Sequence, residues 1–425
     1  MSETRTTATI CGVALAFVAL TWATAPRVRT PSVFADRGER VFPQLTDPNS
    51  AASLEVIEFD ERSATVRPFK VQNRNGRWTI PSQHDYPADA RDRLAQTTAA
   101  IIALRKDDFA SDNAADSERC GVLDPLDTTL PNVKGRGTRM TVRGQQGQVL
   151  ADIIIGGAVE GHPGFRYVRQ PGQNRIYISN VGDLKTSTAF GDWIDRDLLQ
   201  VTTDEVDAIN LRNYSLDRGA RRINQGEVIL LQKRRNGEWT IDGGTANAPL
   251  NPAAVDDLLT QLANLRIAGV LPKPAGITAT LSTETGSAAL TAEDRSDLAR
   301  KGFYLAPDGQ LLSSQGEIVI RTVRGVFYTL RFGEIASREA ALASPKPGEG
   351  GPAAETAGAQ ANTPGENRYL FIMVDFDPQT ASTPGRASEG ADKVRLLRPR
   401  FAPWYYVIAA DSFSHIRVQR RDLVG

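Results

Sequence analysis

Cysteine is almost missing from this 425-residue chain, which has two. Cys11 sits in an N-terminal apolar stretch and Cys120 stands alone in the remainder. No disulfide can therefore form beyond that stretch, and no cysteine-based metal cluster is possible. Scarce cysteine does not fix the compartment, since an exported domain without disulfides is as permissible as a cytosolic one. Histidine is limited to His84, His162 and His415, and none has metal-ligand spacing to another histidine or a cysteine. An excess of either charge is also lacking: Lys+Arg is 50 and Asp+Glu is 50. A nucleic-acid binder needs a basic surplus or stripe for phosphate contacts, so nucleic acid is not an expected partner.

Catalytic signatures are missing as well. There is no Gly-x-Ser-x-Gly elbow and no Walker loop, and Gly135-Arg136-Gly137 lacks both a third glycine and a strand-to-helix setting. Cys120 in ERCGVLDP has no partner motif and reads as a small buried hydrophobe rather than a nucleophile. Asp107-Asp108, Asp195 with Asp197, and Asp256-Asp257 resemble acid pairs, but such pairs are commonplace at helix ends and on wet faces. Arg395, Arg398, Arg400, Arg417, Arg420 and Arg421 crowd the C-terminal region and read as a solvated rim rather than a lipid or acidic-partner contact. No catalytic, cofactor-binding or metal site is assigned, no cofactor is expected, and no small-molecule ligand is identified.

One long apolar run is present. Residues 8–25, ATICGVALAFVALTWATA, carry no charge and are just long enough to cross a hydrocarbon core as a helix. Trp22 suits an interfacial position. A cleaved signal is the competing reading, because Ala23-Thr24-Ala25 resembles a cleavage site, but Pro26 fits poorly after a cut. Residues 1–25 are read as an uncleaved single-pass anchor and 26–45 as a linker. Charge leaves orientation open: Arg27, Arg29, Arg37 and Arg40 follow the span, yet long domains translocate largely regardless of charge.

The string Asn-Gly-x-Trp-Thr-Ile occurs twice, at NRNGRWTIP from Asn73 and at RRNGEWTID from Arg234. Asn-Gly between apolar alternations signals a hairpin. Phe69 and Val71 precede the first turn, and Trp78 and Ile80 follow it. Leu230 precedes the second, and Trp239 and Ile241 follow. Each string reads as a hairpin with an inward tryptophan, which favours core anchoring over sugar stacking. Helical faces follow: Ala90, Leu94, Thr97, Ile101 and Leu104 in the first, and Val255, Leu258, Leu259, Leu262 and Leu265 in the second. Pro87 and Pro252 lie near the two helix starts, where a missing N–H costs little.

Strand pairs come next, TRMTVRGQQGQVLADIIIG and EIVIRTVRGVFYTLRFG, then GFRYVRQPGQNRIYISN in the first half. In the second, NRYLFIMVDFD and FAPWYYVIAADSFSHIRV are split by an insertion. Phe190, Trp193, Ile194 and Leu198 suggest a short helix closing the first copy. The expected plan is α+β: a duplicated domain with mainly antiparallel sheets, one or two helices per repeat, preceded by one transmembrane helix. The repeats are placed at 46–204 and 205–425. Residues 337–366 and 378–393 are rich in Pro, Gly, Ala, Ser and Thr and are expected to be disordered insertions.

NGRWTIP, the YPADARDRLAQ helix, GVLDPLD at 121–127, VLADIIIG at 149–156, GFRYVR at 164–169 and WYYVI at 404–408 together resemble the domain of unknown function 4340 family. The likeness covers the chain beyond the anchor and rests on turns and strands. It implies one N-terminal transmembrane helix, an extracytoplasmic region, and association with ABC transporters or gliding-motility-type auxiliary proteins. It implies no catalytic residues, and it turns the orientation toward an outside domain. The expectation is a non-enzymatic, membrane-anchored extracytoplasmic accessory or binding component of an ABC-type transport system, with transporter subunits as partners. The alternatives are an envelope polysaccharide-binding protein or glycan hydrolase, and a purely structural envelope protein.

Overall fold

A computed structural model describes residues 36–425, apart from 130–132, 183, 185–186, 218–221, 243–248, 283–289, 307–308, 337–366 and the side chains of 279–282. The expected anchor over 1–25 and the insertion at 337–366 lie outside the described residues. No described helix is long and apolar enough to cross a membrane.

The described chain is α+β with antiparallel sheets. The first sheet contains β1 (Ser53–Asp60), β2 (Thr65–Arg74), β3 (Arg77–Ile80), β4 (Tyr86–Pro87), β5 (Asp108–Ser111), β6 (Thr138–Arg143), β7 (Val149–Ala158), β8 (Phe165–Arg169) and β9 (Ile176–Asn180). Its spatial order is β4-β3-β2-β1-β6-β7-β8-β9-β5. The second sheet contains β10 (Val206–Arg212), β13 (Val228–Lys233), β14 (Trp239–Ile241), β15 (Ile267–Pro272), β18 (Glu317–Thr322), β19 (Val326–Ile335), β20 (Arg368–Phe376) and β21 (Trp404–Ile408). Its order is β14-β13-β10-β18-β19-β20-β21-β15. Two small hairpins stand apart, β11 (Ser215–Asp217) with β12 (Arg222–Asn224), and β16 (Phe303–Leu305) with β17 (Leu311–Ser313). Leaving β4 aside, the two orders correspond strand for strand.

Helix α1 (Arg91–Ala103) carries the chain from the β3–β4 edge of the first sheet to β5 on the opposite edge. The short α2 (Asp116–Arg119) follows. Helix α3 (Pro252–Ala263) makes the equivalent crossing from β14 to β15. Both expected helical faces are buried: Leu94, Thr97 and Ile101 on α1, and Val255, Leu258, Leu259 and Leu262 on α3. Asn251 caps α3, its side chain accepting from the Ala253 N–H, with Pro252 in the first turn. Pro87 plays no such part, because it belongs to β4 and α1 begins at Arg91. The strands that follow the helices, β5 and β15, are absent from the expected plan. They form the far edge of each sheet, β5 paired with β9 and β15 with β21.

The two Asn-Gly strings make different turns. Asn75 and Gly76 both have positive φ, 54° and 81°, between the paired Arg74 and Arg77. This is a two-residue type I′ hairpin. In the second string only Gly237 has positive φ, 90°. Gly237 N–H donates to the Arg234 carbonyl, and Arg234 N–H donates to Glu238, a longer turn ending in a glycine bulge. The extra residue slips the register by one, and a one-residue slip exchanges the faces. Phe69 and Val71 face the core in the first hairpin, whereas Ile229 and Leu231, not Leu230, face it in the second.

Residues 378–393 are not a disordered insertion. Residues Pro378–Thr380 form a 3-10 turn and Pro384–Phe401 form helix α6. Thr383 caps it, accepting from the Arg386 N–H, and Pro384 opens the first turn. The apolar stripe that pays for its order, Val394, Leu397 and Phe401, lies beyond the low-complexity window. Gly390 lets the helix lie on the sheet, since a Cβ there would stand 2.1 Å from the Arg324 carbonyl oxygen. The described part of the expected 26–45 linker is also packed down: Val41 and Leu45 are buried in the core. Asp36 accepts from the Tyr177 hydroxyl at 2.5 Å and from Lys106 at 3.1 Å.

One apolar core serves both sheets, running from Leu54, Val71 and Ile101 through Trp193 and Leu199 to Leu231, Leu262 and Leu330. The expected short helix at 190–198 is a 3-10 turn, Phe190–Asp192, whose neighbours Trp193, Ile194 and Leu198 are buried in this seam. On the outer faces sit smaller clusters. Cys120, Val122, Ile154 and Ile176 cover the first sheet. Ile277, Leu298, Phe303, Phe371 and Tyr405 cover the second. Alternation along β20 divides its side chains between the two, with Leu370, Ile372 and Val374 inward and Tyr369, Phe371 and Met373 outward.

Candidate functional site

The residues weighed from the sequence are scattered. His84 ends a 3-10 turn in left-handed backbone, His162 lies in the loop before Phe165, and the Nδ1 of His415 contacts the Asp411 carbonyl at 2.6 Å; all three are exposed. Among the described residues no group of three His, Cys, Asp or Glu could hold a metal ion. Cys120 is 1 % exposed, and burial pushes its thiol up from the ordinary value, away from thiolate chemistry.

The acid pairs are engaged in local structure. Asp107 accepts from the Asn180 N–H and Asp108 from the Phe109 N–H. Asp195 lies 3.2 Å from Arg400, while Asp197 accepts from the Gln200 N–H. Asp256 and Asp257 lie on the exposed side of helix α3 (Pro252–Ala263). Trp78 and Trp239 are half-buried, each leaning on the shared core, and among the described residues the tryptophan wholly inside is Trp193. Its indole N–H donates to the Ser187 carbonyl at 2.9 Å, and Arg93 lies 4.9 Å over its ring.

The six C-terminal arginines do not form one basic surface. Arg395 pairs with Asp392 along its helix, and Arg421 with Asp422. Arg400 ties the second half to Asp195 of the first, and Arg417 donates to Gln315. Arg420 donates to the Asp242 carbonyl. Arg398 instead turns to β20, with its Nε 3.4 Å from the Val374 carbonyl oxygen and its Nη2 3.7 Å from Asp375.

Arg398 leads to a concave feature of the second half. Helices α4 (Ala275–Ser282) and α5 (Ala292–Arg300), with the β16–β17 hairpin, form a cap over the outer face of the second sheet. Helix α5 starts in a capping box between Thr291 and Asp294. Beneath the cap, a cavity of about 390 Å3 is lined by residues of the cap, of β20, of the end of α6 and by Arg331 of β19. Beside it lies Lys273, 6 % exposed, its Nζ donating to the Phe401 carbonyl at 3.1 Å and standing 3.8 Å from the Phe371 ring centre. Burial holds this ammonium well below the ordinary lysine range. Sequence reading missed both features. Lys273 sits in an unremarkable PKP tripeptide, and Arg331 and Arg398 come together only through the fold.

This architecture defines an α+β protein with two antiparallel sheets on one core and a cavity under an outer cap. Residues 78–284, from β3 into the cap of the second sheet, match the model of the family described as Domain of unknown function (DUF4340). No curated protein and no solved structure matches the chain.

Proposed function

We propose that the protein is a non-enzymatic, single-pass membrane protein whose folded region stands outside the cytoplasmic membrane as an accessory or binding component of an ABC-type transport system. We also propose that its two sheets are copies of one unit. The equal strand orders, with a helix crossing from one edge to the other in each, support the duplication. The uncharged run at 8–25 supports the anchor. The observation that carries the accessory reading is the fused core: two sheets locked on shared apolar packing make a rigid body suited to docking and spacing.

The test is crosslinking in cells, followed by capture from detergent-solubilised membranes and identification of what is bound. Transporter subunits in the captured set are the expected result. A chain recovered from the soluble fraction, or a membrane-bound chain that captures no transporter subunit, overturns the reading. The competing reading, an envelope glycan-binding protein, draws on the partly uncovered Trp78 and Trp239. It requires saturable glycan binding that is lost in Trp78→Ala or Trp239→Ala.

A further inference from the structure

The two sheets differ at one place that matters for binding. In the first, β8 and β9 pair along five residues each. In the second, the matching β20 and β21 are joined through α6, and they pair only from Arg368 to Leu370 on β20. From Phe371 to Asp375 the strands part, and the cavity of about 390 Å3 opens against this stretch of β20. That volume falls within the range of small-ligand pockets, ~300–1,000 Å3.

The lining is two-sided. The cap contributes an aliphatic wall of Ile277, Leu298, Leu305 and Leu311. The opposite side contributes cations, Arg331 of β19 and Arg398 of α6. Arg331 is 9 % exposed, and its Nε lies 3.0 Å from Glu317, a carboxylate it shares with Arg212. Its Nη1 faces the Met373 sulfur at 3.0 Å. A thioether is a weak acceptor, so a buried guanidinium donor is poorly matched on the cavity side. Lys273 stands behind the Phe371 ring that forms part of the wall. Among the described lining residues the charged groups are Arg331, Arg398 and Asp375.

We infer that this cavity binds an amphipathic carboxylate, an unbranched acyl chain of medium length whose tail lies on the cap wall and whose head group is held by Arg331 and Arg398. A neutral hydrocarbon would leave the Arg331 donor unmatched, and a small anion would leave the aliphatic wall wet. The inference does not depend on the transport reading, because binding is measured on the isolated chain.

The experiment is calorimetric titration of the purified full chain with decanoate, decanol, acetate and a blocked-amine trivaline peptide. Decanoate binds saturably. Decanol and acetate each bind at least about tenfold more weakly, the equivalent of one charge-assisted hydrogen bond or of the buried tail. Arg398→Met costs a similar factor, and Leu311→Trp, which fills the cavity, abolishes binding with the melting temperature retained. Arg331→Met would leave the buried Glu317 with Arg212 alone and risks unfolding, so the other two variants carry the test. Absence of saturable decanoate binding, equal binding of decanol, or unchanged decanoate affinity in both folded variants overturns the proposal. Tighter binding of trivaline than of decanoate overturns it too, reassigning the cavity to strand addition on the open edge of β20.

Discussion

Tyr86 of the first sheet and Trp404 of the second meet edge to face, with ring centres 5.1 Å apart, and Tyr406 stands 6.5 Å from the same tyrosine. This aromatic joint closes the seam between the sheets, with the Arg400–Asp195 pair beside it. Aromatic pairs of this geometry contribute about 0.5–1.5 kcal/mol beyond their burial.

Tyr86→Ala should therefore cost about 3–5 kcal/mol, the range for emptying a large aromatic site. Chemical denaturation of the wild type should show a single transition, because one core serves both sheets. The variant should show a lowered midpoint, still in a single transition, because neither sheet keeps a core of its own. A midpoint unchanged from wild type would mean the seam contributes nothing.

The two Asn-Gly turns should respond differently to glycine. Asn75 has a φ of 54°, so Asn75→Gly relieves left-handed backbone and should be neutral or mildly stabilising. Asn236 lies outside that region and its side chain accepts from the Glu238 N–H at 3.1 Å, so Asn236→Gly should cost about 0.5–1 kcal/mol. Thermal melts of both variants check this, and equal effects would contradict the difference in turn type.

These turns also show what sequence reading reaches and where it stops. The hairpins, the buried faces of α1 and α3, and the antiparallel strand pairs follow from periodicity and turn chemistry within short windows. The bulge at Gly237 does not, because Asn-Gly serves both turn types and the choice depends on how the strands register. Helix α6 was hidden for a related reason. Its first two turns are low in apolar residues, and its buried stripe begins only at Val394. The cavity was illegible because Arg331, Lys273 and Arg398 are far apart in the chain and meet only through sheet order.

Two glycines of α6 give opposite expectations. At Gly390 a Cβ would collide with the Arg324 carbonyl, whereas at Gly385 nothing lies within 4 Å. Gly390→Ala should destabilise by about 1–3 kcal/mol through overpacking. Gly385→Ala should stabilise by up to about 1 kcal/mol through helix propensity. Denaturant midpoints of the pair decide it, and stabilisation by both would mean α6 is not seated on the sheet.

The Asp36–Tyr177 hydrogen bond sets a pH window. The tyrosine hydroxyl, helped by Lys106 and Arg175, holds the Asp36 carboxyl below its ordinary value, while burial and Asp36 push Tyr177 up to about 12. A depressed carboxylate contributes stability above its unfolded value and loses it as pH falls through the folded one. A raised phenol contributes below its unfolded value and loses it as pH rises through about 12. Tyr177→Phe should lower stability by about 1–2 kcal/mol near neutrality. The gap from wild type should narrow below about pH 4 and again towards pH 12. Melting curves across pH check it, and a gap that stays constant from pH 3 to 9 would exclude the coupling.

Joint ownership of the interior has a consequence for dissecting this protein. Severing the chain near residue 205 would not liberate two miniature proteins. It would wet an oily face on each fragment, and exposed faces of that kind drive aggregation. The strand orders repeat, but the smallest piece able to stay folded alone is the pair, so deletion mapping of any binding activity by halves would report insolubility in place of function.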